Sequence, residues 1–263
     1  MSNLEAFILG LIQGLTEFLP VSSSGHLELG KYILGVEGTN NLLFTVVVHG
    51  ATVLSTIFVF RKDIWELLKS LFSLKWNEKT QYISKIALSM IPIGIVGLFF
   101  KDEIESIFDG ENIILLVGLM LILTAILLGF TYYAKEKDKN ISFKDAFIIG
   151  IAQTIAVLPG ISRSGSTIAV GLLLGNKKSE IAKFSFLMVI FPIIGANLKD
   201  LFSGDLINSG ISIETLIIGF LAAFVSGLFA CKLMINLVKK GKLIYFALYC
   251  FLVGITAIIF NFI

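Results

Sequence analysis

Charge is what this chain has least of. Only 15% of its 263 residues are Asp, Glu, Lys or Arg, while 56% are hydrophobic. A soluble domain carries about a quarter charged residues to cover its surface. That class is therefore excluded, and no nucleic-acid partner is expected. Cysteine is almost absent too. Cys231 and Cys250 lie in apolar runs, with no metal-ligand spacing and no disulfide framework, and read as packing residues. Proline occurs 4 times, and two of the four, Pro20 and Pro159, each stop an apolar run. The first apolar stretch, LEAFILGLIQGLTEFLP, has no basic leader and no small-residue cleavage site, and is expected to belong to the fold.

What the chain does have is long apolar runs, with a mean hydropathy of +0.91. Six of them, 42–60, 84–100, 113–133, 181–198, 211–231 and 243–262, are long enough or nearly so to cross a bilayer. Two others, 4–36 and 143–176, run apolar, stop at Pro20 or Pro159, pass through a Ser/Gly patch, and turn apolar again. Irregular backbone at membrane depth must be buried in protein or line a wet cavity, so each reads as a re-entrant helix–loop–helix hairpin. The stretch 61–82, with Trp65 and Trp76 among lysines and leucines, reads as an interfacial amphipathic helix.

Charge placement sets the topology. Of 21 Lys and Arg residues, 17 fall in four loops: 61–85, 135–144, 177–183 and 232–242. By the positive-inside rule these are cytoplasmic. Lys31, Lys101 and Lys199 occupy the alternate loops, and acids follow Lys101 up to Glu111. The first hairpin then has both ends outside and the second both ends inside. The expected fold is an all-α integral membrane protein, six transmembrane helices plus two re-entrant hairpins in an inverted-topology repeat. It is a single membrane domain over 1–263, with 1–133 as one repeat and 143–263 as the other. At an offset of 140, Gly10, Gln13, Ser22, Ser24, Gly25, Leu34 and Gly35 recur as Gly150, Gln153, Ser162, Ser164, Gly165, Leu174 and Gly175. Inverted repeats bring broken helices together near the midplane, where a site forms.

The remaining basic residue, Arg163, lies in no loop. An ionisable group within a membrane segment points to function by default; here these are Glu17, His26 and Arg163. Gln13 and Glu17, four residues apart, share a helix face. Pro20 then releases VSSSGH as a loop. On the second hairpin Pro159 and Gly160 precede Ser162, Arg163, Ser164, Gly165, Ser166 and Thr167. Small residues feeding a helix N-terminus make an anion site, and a guanidinium adds bidentate recognition of phosphate. The expected phosphate-binding residues are Gln13, Ser22, Ser24, Gly160, Ser162, Ser164, Gly165 and Thr167. Arg163 is expected to pair with Glu17 when no phosphate is bound. His49 and Gln153 are expected to support the site from behind, and Asn197 and Asn236 to form interhelical hydrogen bonds.

QGLTEFLPVSSSGH (13–26) and PGISRSGST (159–167), with FTVVVHGAT between them, resemble the undecaprenyl-diphosphate phosphatase (bacitracin-resistance) family over essentially the whole chain. The resemblance implies a bacterial plasma-membrane enzyme with its active site open to the outer face. Such an enzyme removes the terminal phosphate of undecaprenyl diphosphate and recycles the carrier lipid for peptidoglycan and other wall polymers. It implies Glu17, Ser23, His26 and Arg163 as the catalytic set, with His26 as nucleophile or base and Ser23 as the rival nucleophile. It also implies a divalent cation, Mg2+ or Ca2+, held by Glu17 with substrate phosphate and water. Gln13 stands where many members have Glu. Expected partners are undecaprenyl diphosphate in the bilayer, bacitracin as competitor for that lipid, and a second copy of the chain as a homodimer. The alternative function is a lipid-phosphate flippase or secondary transporter using the same anion site; a pure carrier needs no nucleophile beside it.

Overall fold

The computed structural model describes residues 1–36, 42–73, 75–108, 110, 112–135, 137, 139–202 and 210–262. Asp109 and Glu111, in the acidic loop, lie outside the described residues. The described residues are helical, with no β-strand; one isolated parallel bridge joins Lys139 to Asn176.

Helix α1 (Asn3–Phe18) opens with a capping box: Glu5 N–H donates to Ser2 Oγ and Ser2 N–H donates to Glu5. It ends at Leu19, because Pro20 disfavours helical backbone in the residue before it. Helix α2 (Ser23–Leu34) starts at Ser22, whose hydroxyl accepts from Gly25 N–H, and closes on Gly35 in the left-handed conformation. The same grammar recurs 140 residues later. Helix α8 (Phe143–Ile155) has a capping box from Ser142 and Asp145, and α9 (Arg163–Leu173) is capped by Ser162 accepting from Gly165 N–H. The caps at Ser2 and Ser142 thus extend the offset to both ends of each hairpin, with Gly175 at positive φ matching Gly35.

Around the hairpins stand the longer helices: α3 (Leu42–Val59), α5 (Glu78–Phe99), α7 (Ile113–Phe130, continued by a 3-10 turn to Tyr133), α12 (Ile213–Lys239) and α13 (Ile244–Phe260). Five spans among the described residues are long and apolar enough to cross a membrane, the fifth being Lys178–Leu198; α13, with 17 residues, is shorter. The protein is therefore a multi-pass membrane protein. The expected continuous span 181–198 is divided into α10 (Lys178–Met188) and α11 (Ile190–Phe202). Pro192 explains the division: it has no N–H to donate toward Met188, and its ring crowds that carbonyl. The interfacial stretch is also shorter than expected. Helix α4 (Arg61–Phe72) carries Trp65, 60% exposed, whereas Trp76 lies beyond its end. The short α6 (Lys101–Phe108) completes the set.

Packing is close and built on small residues, since apolar surface drives no association between helices already in lipid. Helix α1 lies on α12 with Gly10 against Gly219, where an added Cβ would come within 2.4 Å of the carbonyl oxygen. Helix α8 lies on α5 in the same way: a Cβ on Gly150 would come within 2.3 Å of Ser89 O. Helix α7 pairs with α13. The largest buried cluster runs from Ile149 through Ile181, Phe184 and Met188 to Met234. Outward-facing side chains such as Leu98, Val225 and Phe229 are apolar and exposed, as a lipid-facing surface requires.

Candidate functional site

The tips of the two hairpins touch. A Cβ on Gly25 would lie 3.0 Å from Gly160 Cα, and one on Gly165 would lie 3.2 Å from Pro20 Cβ. Ser164 Oγ donates to Leu19 O at 3.2 Å. Thr124 of α7 pins the second tip from behind, donating to Gly160 O at 3.2 Å and accepting from Ser162 N–H at 3.0 Å. Gly160 needs to be glycine here: its φ is +96°, and a Cβ would meet Val117 O at 2.6 Å.

One carboxylate sits at the junction. Glu17, at the end of α1, is 7% exposed. Its Oε2 accepts from Gln13 Nε2 at 2.8 Å and from Ser23 Oγ at 2.7 Å, and its Oε1 accepts from the guanidinium of Arg163. Arg163 is the first residue of α9, so the ion pair bridges the two hairpins. It is also lopsided: the Arg163 side chain keeps 25% of its surface exposed and Glu17 5%. The expected pairing of Arg163 with Glu17 is present.

Glu17, Arg163 and Ser164 face a small cavity closed by Thr52 and Thr56 of α3 and Ser185 of α10, with an apolar wall from Phe186 to Ile193. Its free volume is about 10 Å3, room for about one water molecule. Thr167 stands behind, its hydroxyl 2.6 Å from Ser185 Oγ. His49 lies one turn from Thr52, within electrostatic reach of Glu17, with Nδ1 2.8 Å from Thr45 O.

The serines of the two tips are arranged alike. Ser22 and Ser162 are caps, and each lies 3.4 Å by its hydroxyl from the serine two residues on, Ser24 or Ser164. The N–H groups of Gly25 and Gly165 are taken by those caps. Gln153 is buried, and neither polar atom of its amide has a protein partner; Oε1 of Gln13 is likewise unpartnered. His26 is elsewhere. Its ring turns to the opposite side of the first hairpin, into an apolar groove between α1, α2 and α13, and meets Tyr249. The structure thus brings Gln13, Glu17, Ser23 and Arg163 together and leaves His26 apart from them. Asn197 bonds from α11 to Val46 O on α3 as expected. Cys231 and Cys250 are free and buried.

Sequence reasoning missed Thr52, Thr56, Thr124, Ser185 and Tyr249. The i,i+4 spacing of Thr52 and Thr56 was a usable signal, but in a membrane helix such hydroxyls commonly bond their own backbone. Both also do so here, to His49 O and Thr52 O.

Comparison with known proteins matches residues 6–256 to the family model described as bacitracin resistance protein BacA. A protein of Bacteroides fragilis named undecaprenyl-diphosphatase is 60% identical over 263 residues, covering 98% of each chain. Its namesake in Bacteroides thetaiotaomicron is 59% identical, over 98% of this chain and 99% of its own. A more distant namesake, from Alkaliphilus metalliredigens, is 38% identical over 99% of both chains.

Proposed function

The chain belongs to the bacitracin resistance protein BacA family, and on that footing we propose that it is an undecaprenyl-diphosphatase of the bacterial plasma membrane. It hydrolyses undecaprenyl diphosphate to undecaprenyl phosphate and inorganic phosphate, and so returns the carrier lipid to cell-wall synthesis. In this reading α1–α2 and α8–α9 are re-entrant hairpins of two oppositely oriented repeats, and the sixth span is α13. The recurrence of caps at a fixed offset supports it, as does the exchange of packing: α1 lies on α12 of the other half and α8 on α5. The clustering of lysines in alternate loops supports a site open to the outer face.

The observation that carries the chemistry is the Glu17 carboxylate, shared by the hydroxyl of Ser23 and the guanidinium of Arg163. Phosphoryl transfer needs positioning and neutralisation of charge on the phosphate oxygens more than it needs covalent help. When the diphosphate arrives, Arg163 exchanges the carboxylate for phosphate oxygens, where its planar fork binds two at once. Ser23 Oγ attacks the terminal phosphorus as its proton passes to Glu17. The bond to the bridging oxygen breaks, and its electron pair leaves with undecaprenyl phosphate. Water then attacks the phosphoserine; Oγ leaves and takes the proton back from Glu17, while the water's proton goes to solvent. A carrier has no need of the Ser23–Glu17 contact.

The donor set fits a divalent cation shared with the substrate. Glu17, Ser23 Oγ and the unpartnered Oε1 of Gln13 are hard oxygen donors on side chains joined by hydrogen bonds through Glu17. Mg2+ or Ca2+ would complete its shell with substrate oxygens and water. Bound there, the ion supplies charge neutralisation at the transferring phosphate. Among the described residues no cluster of three His, Cys, Asp or Glu forms a site of its own.

Phosphate release from undecaprenyl diphosphate by the purified protein tests the reading. Ser23→Ala, Glu17→Gln and Arg163→Lys should each lower turnover by about 100-fold or more. Wild-type turnover in all three would remove the site.

A further inference from the structure

Helix α2 begins at Ser22, whose φ is 71°, the only non-glycine residue at positive φ among the described residues. A side chain makes that conformation unfavourable, and it persists only where surrounding contacts over-determine it. Gly25 N–H holds the Ser22 hydroxyl, and His26 supplies two contacts to the Ser22 carbonyl. Its ring Nδ1 lies 2.9 Å from Ser22 O, and its backbone N–H donates to the same oxygen at 3.1 Å. A carbonyl oxygen only accepts, so Nδ1 carries a proton. In a neutral ring the remaining lone pair is then on Nε2. That nitrogen lies 2.9 Å from the hydroxyl of Tyr249, and the two rings stack with centroids 5.5 Å apart and 13° between planes. Both nitrogens are engaged, and neither points at Glu17 or Arg163; the ring lines the apolar groove on the far side of α1.

We propose that His26 and Tyr249 are positioning residues for the reaction. The Tyr249 hydroxyl donates to Nε2 and fixes the ring as the Nδ1–H tautomer. The ring in turn holds the Ser22 carbonyl, and with it the turn that delivers Ser23 Oγ to Glu17. Tyr249 belongs to α13, so a helix remote in sequence from the tip sets the aim of the nucleophile. The turnover readout rests on the diphosphatase reading; the tautomer is measured without substrate.

The full-length protein, 15N-labelled at histidine, carries two rings, and His49→Asn assigns them by removing one. Near neutral pH His26 is expected as the neutral Nδ1–H form, and Tyr249→Phe should shift its Nε2 resonance as the donor is lost. In turnover, His26→Asn keeps a side-chain N–H toward Ser22 O and should retain at least about a tenth of wild-type kcat, whereas His26→Ala falls about 100-fold or more. Tyr249→Phe should lower kcat by about three- to tenfold with KM unchanged, the loss of one neutral hydrogen bond. An Nε2–H or doubly protonated His26 in the wild type would overturn the proposal. So would His26→Asn as inactive as His26→Ala when both elute and melt like wild type, or acid-labile phosphate recovered on His26 during turnover. If the wild type releases no phosphate, the diphosphatase reading fails, while the tautomer still decides the geometry claimed for His26.

Discussion

Gln13 is an amide directly beside the one carboxylate of the site, and its chemistry makes its role testable. Its Nε2 donates to Glu17 at 2.8 Å; a carboxylate there could only repel. Gln13→Glu would place two negative charges side by side, a pair that stays ionised only with a cation between them. Relative to wild type, the variant is expected to lose more activity on chelation. It should also reach half-maximal phosphate release at about tenfold lower Mg2+, since ligand charge tunes the affinity of such oxygen sites. Superimposable metal titrations would show that position 13 does not face the ion. At this scale the sequence was most legible where physics is least forgiving: Glu17 and Arg163 are charges in apolar segments, and their convergence was readable. Tyr249 was not, because one more aromatic in an apolar helix carries no mark until its hydroxyl is seen against an imidazole.

Elements were legible for a similar reason. Long apolar runs and the charged loops between them located every long helix, and Pro20 ended α1 where its ring requires. The break between α10 and α11 was not anticipated, because hydropathy is blind to a proline that leaves the run apolar. Nor did the sequence tell which helices pair. That depends on where small residues line up, and Gly150 makes it measurable. A side chain there meets Ser89 O of α5 at 2.3 Å, so backbone and not a movable side chain stands in the way. Gly150→Leu is expected to destabilise the detergent-solubilised protein by about 3 kcal/mol. Gly129→Leu, on the same kind of helix but with nothing within 4 Å of the added Cβ, should change stability by less than about 1 kcal/mol. Equal losses in thermal unfolding would mean that α8 does not seat on α5 through that glycine.

At the scale of the whole molecule, one ion pair links the α1–α2 hairpin to the α8–α9 hairpin, and it engages the guanidinium to which the proposed mechanism assigns the phosphate. The cavity at this pair has a free volume of only about 10 Å3, so in the proposed mechanism the headgroup binds by exchange, displacing Glu17 from Arg163. On that reading Glu17 is a tethered anion that competes with phosphate for Arg163. Removing its charge has two consequences of opposite sign. Glu17→Gln leaves a guanidinium largely enclosed and without its counter-charge, which should cost the protein about 1–3 kcal/mol of stability. The same change removes the competitor, so pyrophosphate should bind the variant more tightly than the wild type. Stabilisation by a ligand grows with its concentration over Kd. Pyrophosphate, added in a divalent-free buffer, is therefore expected to raise the melting temperature of Glu17→Gln more than that of wild type, although the variant has lost turnover. Arg163→Lys provides the control, because a point charge without the planar fork should show a smaller ligand-induced rise than either. If pyrophosphate stabilises wild type and Glu17→Gln by the same increment, Arg163 is not the shared partner of carboxylate and phosphate, and the ion pair joins the two hairpins for some other purpose.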